Sequence, residues 1–412
     1  MKILIISQYF YPESGAGSSR AYFFAKYLTE LGHSIKVLCA TPNYPSGEVY
    51  KGYKNSWRNK ENLSGINVIR TLVYPARYSG FAKRFFNYAS FTFSSSAELL
   101  RGEDFDVILV SSPPISVFLV GLLARNVKKT PLVLDVRDVW PGAAVATGNL
   151  KTKWVVKALE TLEKLSYKKA NKIVTVNEET KGILLENNDF LEKENVEVVF
   201  NGVDLELFKQ IPKHSIKTKN TVTLSIVYTG TIGEQHSFST FLETLSMLNK
   251  KAKNVKFSVI GEGSKRDYFI EAIDEKKLSN ISFRRDLKYR DIPSLLNNYD
   301  LGLALLRSNK YLDSAYPVKT FDYMAAGKPV LVSGGLAMRK LVEENKIGFW
   351  VPAEDPKALA SKVIEISRLP RNKLWEMGER GRKLVEERFN RAEQAKKLEK
   401  ILEDVVQSEN RS

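Results

Sequence analysis

The stretch that decides the fold is residues 1–40, MKILIISQYF YPESGAGSSR AYFFAKYLTE LGHSIKVLCA. Residues 3–6 and 34–39 are short aliphatic runs typical of buried strands, and residues 21–31 carry apolar side chains at helical spacing. Gly15 and Gly17 lie between the first strand and the helix. A strand, a helix and a second strand in this order predict a parallel βαβ unit.

The same alternation continues through the rest of the 412 residues, a length that favours two domains. Further strands are predicted at 68–71, 107–110, 132–134 and 172–176, and helices at 117–127 and 154–169. After residue 220, strands are predicted at 224–228, 256–260, 281–283, 301–305, 329–332 and 348–351, and helices from residues 238, 265, 292, 318, 338 and 356. The chain ends in a charged segment, 375–406, with apolar positions at helical spacing. We therefore expect two doubly wound α/β domains facing across a cleft, with the lysine-rich residues 209–220 as the linker.

Composition narrows the classes of partner and compartment. The net charge of +16 favours an anionic partner, of which nucleic acid, a nucleotide diphosphate and an acidic membrane surface are the candidates. The single Cys39 excludes an intrachain disulfide and favours a reducing cytoplasm. Residues 1–6 resemble the start of a secretory signal, but the apolar run stops at Ser7 and no small-residue cleavage site follows. No apolar run approaches the roughly 20 residues of a membrane-spanning helix.

Seven motifs carry a resemblance to a known family. They are YFYPESGAG at 9–17, DVRDVWP at 135–141, NGVD at 201–204, YTGTIG at 228–233, GEG at 261–263, KTFDYMAAGKPV at 319–330 and GFWVPAED at 348–355. In this order and spacing, the chain resembles the retaining glycosyltransferases of the GT-B fold, family 4, over essentially its whole length. It is most similar to bacterial members that build O-antigen, capsule or other surface polysaccharides.

The resemblance implies two Rossmann-like domains and a reaction. Residues 1–203 would bind the acceptor and residues 204–384 the nucleotide sugar, with a terminal helix, 385–412, packing back on the first domain. The enzyme would move a sugar from a nucleotide diphosphate donor, of which UDP-linked N-acetylhexosamine or deoxyhexosamine is the expected kind. The acceptor would be a polyprenyl-diphosphate-linked or free saccharide. Relatives use the donor's own diphosphate oxygen to help deprotonate the acceptor, and no cofactor or metal is expected.

In the first domain, Gly15 and Gly17 are expected to let backbone N–H groups approach a phosphate or the reacting sugar. The alternative is a tight turn without a ligand, and the motif lacks the third glycine of nicotinamide-binding proteins. Asp138, at a strand end, is the expected catalytic carboxylate, with capping of the next helix as the alternative. Arg137 stands where many relatives carry His, and Arg20 either reaches the cleft or covers the helix face.

In the second domain, the donor site is predicted in two parts. The first is the loop after residue 228, with Gly230, Gly233, Thr231 and Gln235 as donor-binding residues. Relatives often place Arg and Lys in this loop, whereas this chain has Thr231, Gln235 and His236 there. The charge on the leaving diphosphate therefore needs a cation from elsewhere in the domain. Lys319, at a predicted helix start, is the expected cation and catalytic residue.

The second part would hold the nucleoside. Asp322 matches the second Glu of the family's Glu, seven residues, Glu motif, so the resemblance assigns it the ribose hydroxyls, while Ser314 replaces the first Glu. A surface ion pair between Lys319 and Asp322 is the alternative. The remaining predicted donor-binding residues lie at two further strand ends: Gly261, Gly263 and Arg284. For Arg284 and its neighbour, a solvated surface turn is the alternative.

Metal binding has little support in the sequence. Asp104-Phe105-Asp106 spells the acidic triplet of metal-dependent glycosyltransferases, but it precedes a predicted strand instead of ending one, which favours a solvated loop. His33, His214 and His236 have no ligand spacing.

Residues 74–100 interleave aromatic and basic side chains, a pattern typical of an interfacial membrane helix. The residues expected to contact the acceptor or the membrane are Arg77, Lys83, Arg84, Phe85 and Phe86. They predict peripheral association with the inner face of the plasma membrane, where a lipid-linked acceptor would lie. The alternative is that these aromatics belong to the core of the first domain.

Two other functions stay open. A basic nucleic-acid-binding protein would bind DNA in a salt-sensitive way without donor turnover, but no recognised nucleic-acid motif appears, so nucleic acid is not an expected partner. A GT-B-type sugar-nucleotide epimerase would need acidic and His residues near the first and second sugar carbons, and the motifs lack them.

Overall fold

A computed structural model gives the fold, and it describes residues 1–76, 81–148, 150–208, 223–284 and 288–411. The chain divides into two compact units. Unit 1 contains Met1–Asn201 and Ala392–Ser412, and unit 2 contains Gly202–Arg391. The predicted linker at 209–220 and the predicted membrane residue Arg77 lie outside the described ranges.

Unit 1 is built on one eight-stranded sheet of order β3-β4-β2-β1-β5-β6-β7-β8. Its strands are β1 (Lys2–Ser7), β2 (Ser34–Ala40), β3 (Asn59–Leu63), β4 (Ile66–Thr71), β5 (Val107–Ser112), β6 (Leu132–Val136), β7 (Lys172–Thr175) and β8 (Val196–Val198). The central strands β5 and β6 are buried along their whole length, and their largely apolar sequence is typical of a sheet covered on both faces. The six predicted strands of this half are confirmed.

The edge strand β3 was not predicted, and it is antiparallel to β4. Its sequence, Asn-Lys-Glu-Asn-Leu, is polar, because an edge strand needs little apolar surface and charged residues there discourage pairing with other chains. The sheet is therefore mixed at this edge, and its other six strand pairs are parallel.

The helices of the first two hundred residues are α1 (Ala16–Glu30), α2 (Phe81–Leu99), α3 (Val117–Lys128), α4 (Gly142–Ala146), α5 (Lys153–Lys169) and α6 (Glu178–Asn187). Helix α1 begins five residues earlier than predicted, so Gly17 lies inside its first turn and only Gly15 precedes it. Among the helices of the described chain, none combines the length and the apolarity needed to span a bilayer.

Unit 2 is built on a six-stranded parallel sheet of order β11-β10-β9-β12-β13-β14. Its strands are β9 (Leu224–Thr229), β10 (Val255–Ile260), β11 (Ile281–Arg284), β12 (Leu301–Leu305), β13 (Val330–Ser333) and β14 (Gly348–Val351). All six were predicted. The order reverses between the neighbours β9 and β12, and at such a switch point the carboxyl ends of the strands open a crevice for a ligand.

Its helices are α7 (Phe238–Lys251), α8 (Arg266–Glu275), α9 (Ile292–Leu296), α10 (Val318–Ala325), α11 (Leu336–Asn345), α12 (Pro356–Ser367) and α13 (Arg371–Arg388), and α14 (Arg391–Glu409) follows. The helical segment predicted at 375–406 is thus two helices, a correction to the sequence reading. The break falls at Phe389, whose carbonyl accepts a hydrogen bond from the backbone of Val203 at 2.8 Å, while Val203 also bridges Asn390.

A buried ion pair joins α1 to the sheet of unit 1. Arg20 donates to Asp135 at the end of β6 at 2.8 Å, and both side chains are almost completely buried. Asp135 also accepts from Ser111, and Arg20 also donates to Asn201. Both charges are therefore compensated, and Arg20 links α1 to β6, a contact that neither of its two sequence readings included.

We expect Arg20→Ala to lower the free energy of unfolding by about 3–5 kcal/mol, because it leaves Asp135 buried without its cation. Urea denaturation followed by circular dichroism measures this change. Lys26→Ala is the matched control on the same helix, since the Lys26–Glu30 pair is partly exposed and contributes at most about 1 kcal/mol. Equal losses in the two variants would contradict the role given to the buried pair.

Candidate active site

The loop after β9 comes close to the loop after β10 and to α10. Gly230 has a φ of 114°, and a Cβ at this position would lie 3.5 Å from Lys319 Nζ. The loop after β10 packs on it so tightly that a Cβ on Gly261 would lie 1.9 Å from the Gly230 carbonyl oxygen. A Cβ on Gly263 would lie 2.3 Å from the carbonyl oxygen of Ile232. Gly261 and Gly263 are therefore needed for the close packing of the two loops, and Gly230 is needed for its positive φ.

Lys319 lies in the first turn of α10 and has no hydrogen-bond partner for its buried ammonium nitrogen among the described residues. Nζ lies 3.6 Å from the centre of the Tyr228 ring, so a cation–π contact is its main compensation. Burial lowers the pKa of Lys319 well below its usual value of 10.5. The ion pair with Asp322, offered as the alternative, does not form. A buried amine in this state gains strongly from an anion that reaches it.

His236 completes the surroundings of Lys319. Its Nδ1 lies 2.9 Å from the carbonyl oxygen of Leu305, which can only accept, so Nδ1 carries the proton and Nε2 is an acceptor. Burial, followed by the nearby charge of Lys319, lowers the pKa of His236 to about 3. The imidazole is therefore neutral at physiological pH, and Lys319 is the cationic candidate at this point of unit 2.

Asp322, one turn after Lys319, is buried with 7% of its surface exposed. Its Oδ1 accepts a hydrogen bond from the Tyr289 hydroxyl at 2.8 Å. Burial raises the pKa of Asp322 to about 6, while Arg391 and the bond from Tyr289 act in the opposite direction. Ser314 is buried and donates to the Tyr311 carbonyl, so it has a local structural contact.

The other predicted donor-binding residues differ in their hydrogen bonds, in their exposure and in whether the backbone requires glycine. The backbone amide of Gly230 donates to Ile260, which leaves it unable to bind a phosphate oxygen. The side chains of Thr231 and Gln235 are exposed. A Cβ on Gly233 would make only an ordinary contact, 3.5 Å from a Thr231 methyl group, so nothing in the structure requires glycine there. Arg284 is exposed at the end of β11, as its surface-turn alternative states, and its neighbours 285–287 lie outside the described residues.

In unit 1, the predicted Gly15 and Gly17 lie at the start of α1, at the carboxyl end of β1. A Cβ on Gly17 would lie 2.0 Å from an Arg137 guanidinium nitrogen, so glycine makes room for that side chain. Arg137 donates to the carbonyl oxygens of Ser112 and Pro113 at 3.1 and 2.9 Å. The structure therefore places a guanidinium over the first turn of α1, a contact that the sequence reading of Gly17 did not include.

The two aspartates of the DVRD segment lie in different surroundings. Asp135 is buried in its pair with Arg20, whereas Asp138 is exposed. The helix-cap alternative for Asp138 is wrong, because α4 begins at Gly142 with Pro141 before it and has no side-chain cap. Asp138 is thus the carboxylate of this segment that is open to a ligand.

Helix α2 buries several polar side chains beside Phe91 and Leu99, and it exposes aromatic ones. Its inward face carries Asn87, Ser94, Ser95 and Glu98, all buried. Its outward face presents Phe86 and Phe93, and Leu100 follows directly after the helix. These three residues are spaced by seven and are exposed by 56%, 67% and 62%, respectively. We call these three residues the outer stripe.

The predicted membrane residues divide along this helix. Phe85 and Lys83 are exposed beside the outer stripe, whereas Arg84 is half-buried and lines a small cavity of about 10 Å³ with Tyr9, Asn43 and Asn87. Trp57 packs on Phe93 and Tyr74 on Phe86, which extends the aromatic surface. The core alternative is correct for Phe91, which is fully buried, and wrong for Phe85, Phe86 and Phe93.

The acidic triplet behaves as the loop that its position predicted. Asp106 accepts from the backbone amide of Lys2 at 2.6 Å, and Asp104 lies 3.6 Å from Lys128. Within the described ranges, one group has metal-ligating atoms within 4.8 Å of one another, namely His33, Glu399 and Glu403. It lies in unit 1, and His33 is already bound to Glu399 at 2.6 Å.

Three side chains of the site were missed by sequence reasoning: Tyr228, Tyr289 and Arg391. Tyr228 was visible as the first letter of a quoted motif, without a role. Tyr289 and Arg391 are 33 and 69 positions away from Asp322 in the chain. No local sequence pattern predicts contacts over such distances.

Comparison with known proteins agrees with this architecture. The family model described as "Glycosyltransferase Family 4" matches residues 17–207, and the model described as "Glycosyl transferases group 1" matches residues 209–384. A relative in Escherichia coli, named "Putative colanic acid biosynthesis glycosyl transferase WcaI", is 22% identical over 386 residues, which is 90% of this chain and 93% of that protein.

Two solved structures are similar in fold. Sucrose-phosphate synthase from Thermosynechococcus elongatus has a TM-score of 0.74 and 14% identity, over 99% of this chain and 100% of that one. Anabaena HepE in complex with UDP and glucose has a TM-score of 0.69 and 16% identity, over 98% of this chain and 99% of that one. Since the two family models together match nearly all of the sequence, the chain belongs to the family 4 glycosyltransferases of the GT-B fold.

Proposed function

We propose that this glycosyltransferase moves a hexosyl group, with retention at the anomeric carbon, from a UDP-linked N-acetylhexosamine or deoxyhexosamine during synthesis of a surface polysaccharide such as O-antigen or capsule. The acceptor is a polyprenyl-diphosphate-linked or free saccharide. The observation that carries the proposal is the buried ammonium of Lys319, which has no hydrogen-bond partner among the described residues and lies beside the Gly230 loop.

The transfer breaks the bond between the anomeric carbon and the diphosphate, so negative charge grows on the departing UDP. A cation that already lies in a dry site stabilises that charge without reorganisation. Lys319 meets this requirement, and the first turn of α10 adds the positive end of the helix dipole. In this proposal these groups neutralise the diphosphate, and no metal ion is required.

Asp322 binds the ribose hydroxyls in the same proposal, because a carboxylate accepts hydrogen bonds from adjacent hydroxyl groups. UDP in the HepE complex and the colanic acid pathway in the name of the Escherichia coli relative support a UDP donor and a polysaccharide product. The acceptor's proton goes to a diphosphate oxygen as the new glycosidic bond forms. In the same proposal Asp138 and Gly17 act in catalysis, and Gly15 contributes to donor binding.

In this proposal the enzyme binds the cytoplasmic leaflet of the membrane, and the exposed outer stripe supports that location. Exposed aromatic and leucine side chains lower their free energy by inserting into the interface between lipid headgroups and acyl chains. The exposed basic residues Lys51, Lys54 and Lys83 lie in or near the same segment of sequence and favour an anionic surface. A lipid-linked acceptor is concentrated at that surface.

A thermal-shift panel tests the donor assignment. We expect UDP, but not uridine, to raise the melting temperature, because a ligand at a hundredfold excess over its Kd adds about 2.7 kcal/mol to stability. EDTA should leave the shift unchanged. A shift with only GDP or only ADP would contradict uridine as the base of the donor but would still support a nucleotide-sugar donor. If no nucleotide changed the melting temperature, the proposal would be wrong. Release of UDP from the sugar donor only when acceptor is present separates transfer from epimerisation.

We expect Lys319→Ala to lower kcat by about a hundredfold or more, the loss seen when one group that stabilises a transition-state anion is removed. The melting temperature should stay the same or rise, because the substitution removes a buried charge that lacks a hydrogen-bond partner. Lys340→Ala, at an exposed lysine of the same unit, is the control. An unchanged kcat in Lys319→Ala would remove its assigned role.

Liposome flotation tests the membrane assignment. We expect the wild type to float with vesicles that contain phosphatidylserine, and Phe86→Ser with Phe93→Ser to reduce the bound fraction at least severalfold through loss of buried apolar area. Tyr268→Ser, at an exposed aromatic residue of unit 2, is the matched control. Equal recovery from neutral and anionic vesicles, or no effect of the double substitution, would count against the assignment.

A further inference from the structure

The hydroxyl of Tyr289 holds one oxygen of Asp322. Tyr289 begins a short 3-10 turn, Tyr289–Asp291, that leads into α9, and it donates to Asp322 Oδ1 at 2.8 Å. The carboxylate is therefore fixed by a contact from outside its own helix. Among the described residues, no hydrogen bond to Oδ2 accompanies this contact.

Arg391 stands behind Tyr289. It is buried, its guanidinium lies 5.4 Å from the centre of the Tyr289 ring, and a nitrogen lies 3.4 Å from the hydroxyl. The backbone amide of Arg391 donates to the carbonyl of Val203 at 3.1 Å. A Cβ on Gly202 would lie 2.3 Å from the Phe389 carbonyl oxygen, so the NGVD motif can approach the segment between α13 and α14 closely only with glycine there.

The groups around Asp322 affect both its own carboxyl group and the hydroxyl of Tyr289 that is bound to it. Burial raises the pKa of Asp322 to about 6, and Arg391 and the bond from Tyr289 limit this rise. Burial raises the pKa of Tyr289 well above 10, so its hydroxyl stays a donor. Tyr323, the next residue on α10, is hydrogen-bonded to Thr229, and Asp204 acts on Tyr289 and not on Asp322 directly.

We propose that Tyr289 is a positioning residue for nucleotide binding: by occupying Oδ1 of Asp322 it sets the plane of the carboxylate and directs Oδ2 to a hydroxyl of the bound nucleotide. Arg391 keeps the phenol in place through its contact with the ring. The inference rests on the proposed function, which assigns the ribose hydroxyls to Asp322. It adds a residue that no motif of the chain pointed to.

Two substitutions separate this inference from the proposed function. We expect Tyr289→Phe to weaken UDP binding about tenfold at pH 7, the factor for loss of a hydrogen bond to a charged group, as measured by calorimetry. Asp322→Asn should weaken it at least as much. Tyr299→Phe is the control, since Tyr299 is another half-buried tyrosine of the same region.

The pH dependence of UDP affinity gives a readout that a merely structural role would not move. Tyr289→Phe removes a contact that lowers the pKa of Asp322, so the pKa rises from about 6 and the carboxyl is protonated at higher pH. The loss of affinity on acidification should therefore begin at a higher pH than in the wild type. Titration of UDP itself is common to all variants and cancels in the comparison.

The outcomes are distinct. If Asp322→Asn weakens UDP binding while Tyr289→Phe matches Tyr299→Phe in affinity and pH profile, the inference fails and the proposed function stands. If Asp322→Asn binds UDP normally, both fail at this residue. Should Tyr289→Phe not fold, Tyr289→Gln and Tyr289→Leu replace it, and only the variant that keeps a donor should retain affinity. Equal affinity in that pair would overturn the inference.

Discussion

The arrangement of unit 2 depends on one unfavourable contact, an ammonium group held away from water without a hydrogen-bonding partner in the described chain. Lys319 is stabilised mainly by the face of Tyr228, and the neighbouring His236 stays uncharged. Two glycine-containing loops close over the same point, at the reversal of strand order in the sheet. The fold accepts this cost because the rest of the unit, with its continuous apolar core, supplies the stability.

The pattern of strands and helices was readable because it rests on local chemistry. Aliphatic runs bounded by glycine and polar residues predicted the central strands of both sheets, and these strands are buried on both faces. The edge strand β3 and the short helix α4 lacked that signal. The division of the terminal segment at Phe389 depends on a backbone contact with Val203, which is distant in sequence.

The residues of the site that lie in one sequence motif could be predicted, whereas their contacts with distant residues could not. Lys319 and Asp322 were identified from their place in one motif, and both occupy the switch point of unit 2. Their spacing suggested an ion pair, but Lys319 contacts the ring of Tyr228 and Asp322 accepts a hydrogen bond from Tyr289. Glycines were harder to interpret, since Gly17 and Gly261 make room for a side chain and for another loop, a requirement that spacing alone does not reveal.

The contact between Gly202 and Phe389 has a practical consequence for building hybrid proteins. The chain enters unit 2 at Gly202 and leaves it after Arg391, and these two passages are hydrogen-bonded to each other through Val203. A chimera that exchanges the donor-side half must therefore carry both passages from the same parent. If only one passage were exchanged, Gly202 of one parent would have to pack against residues 389–391 of the other.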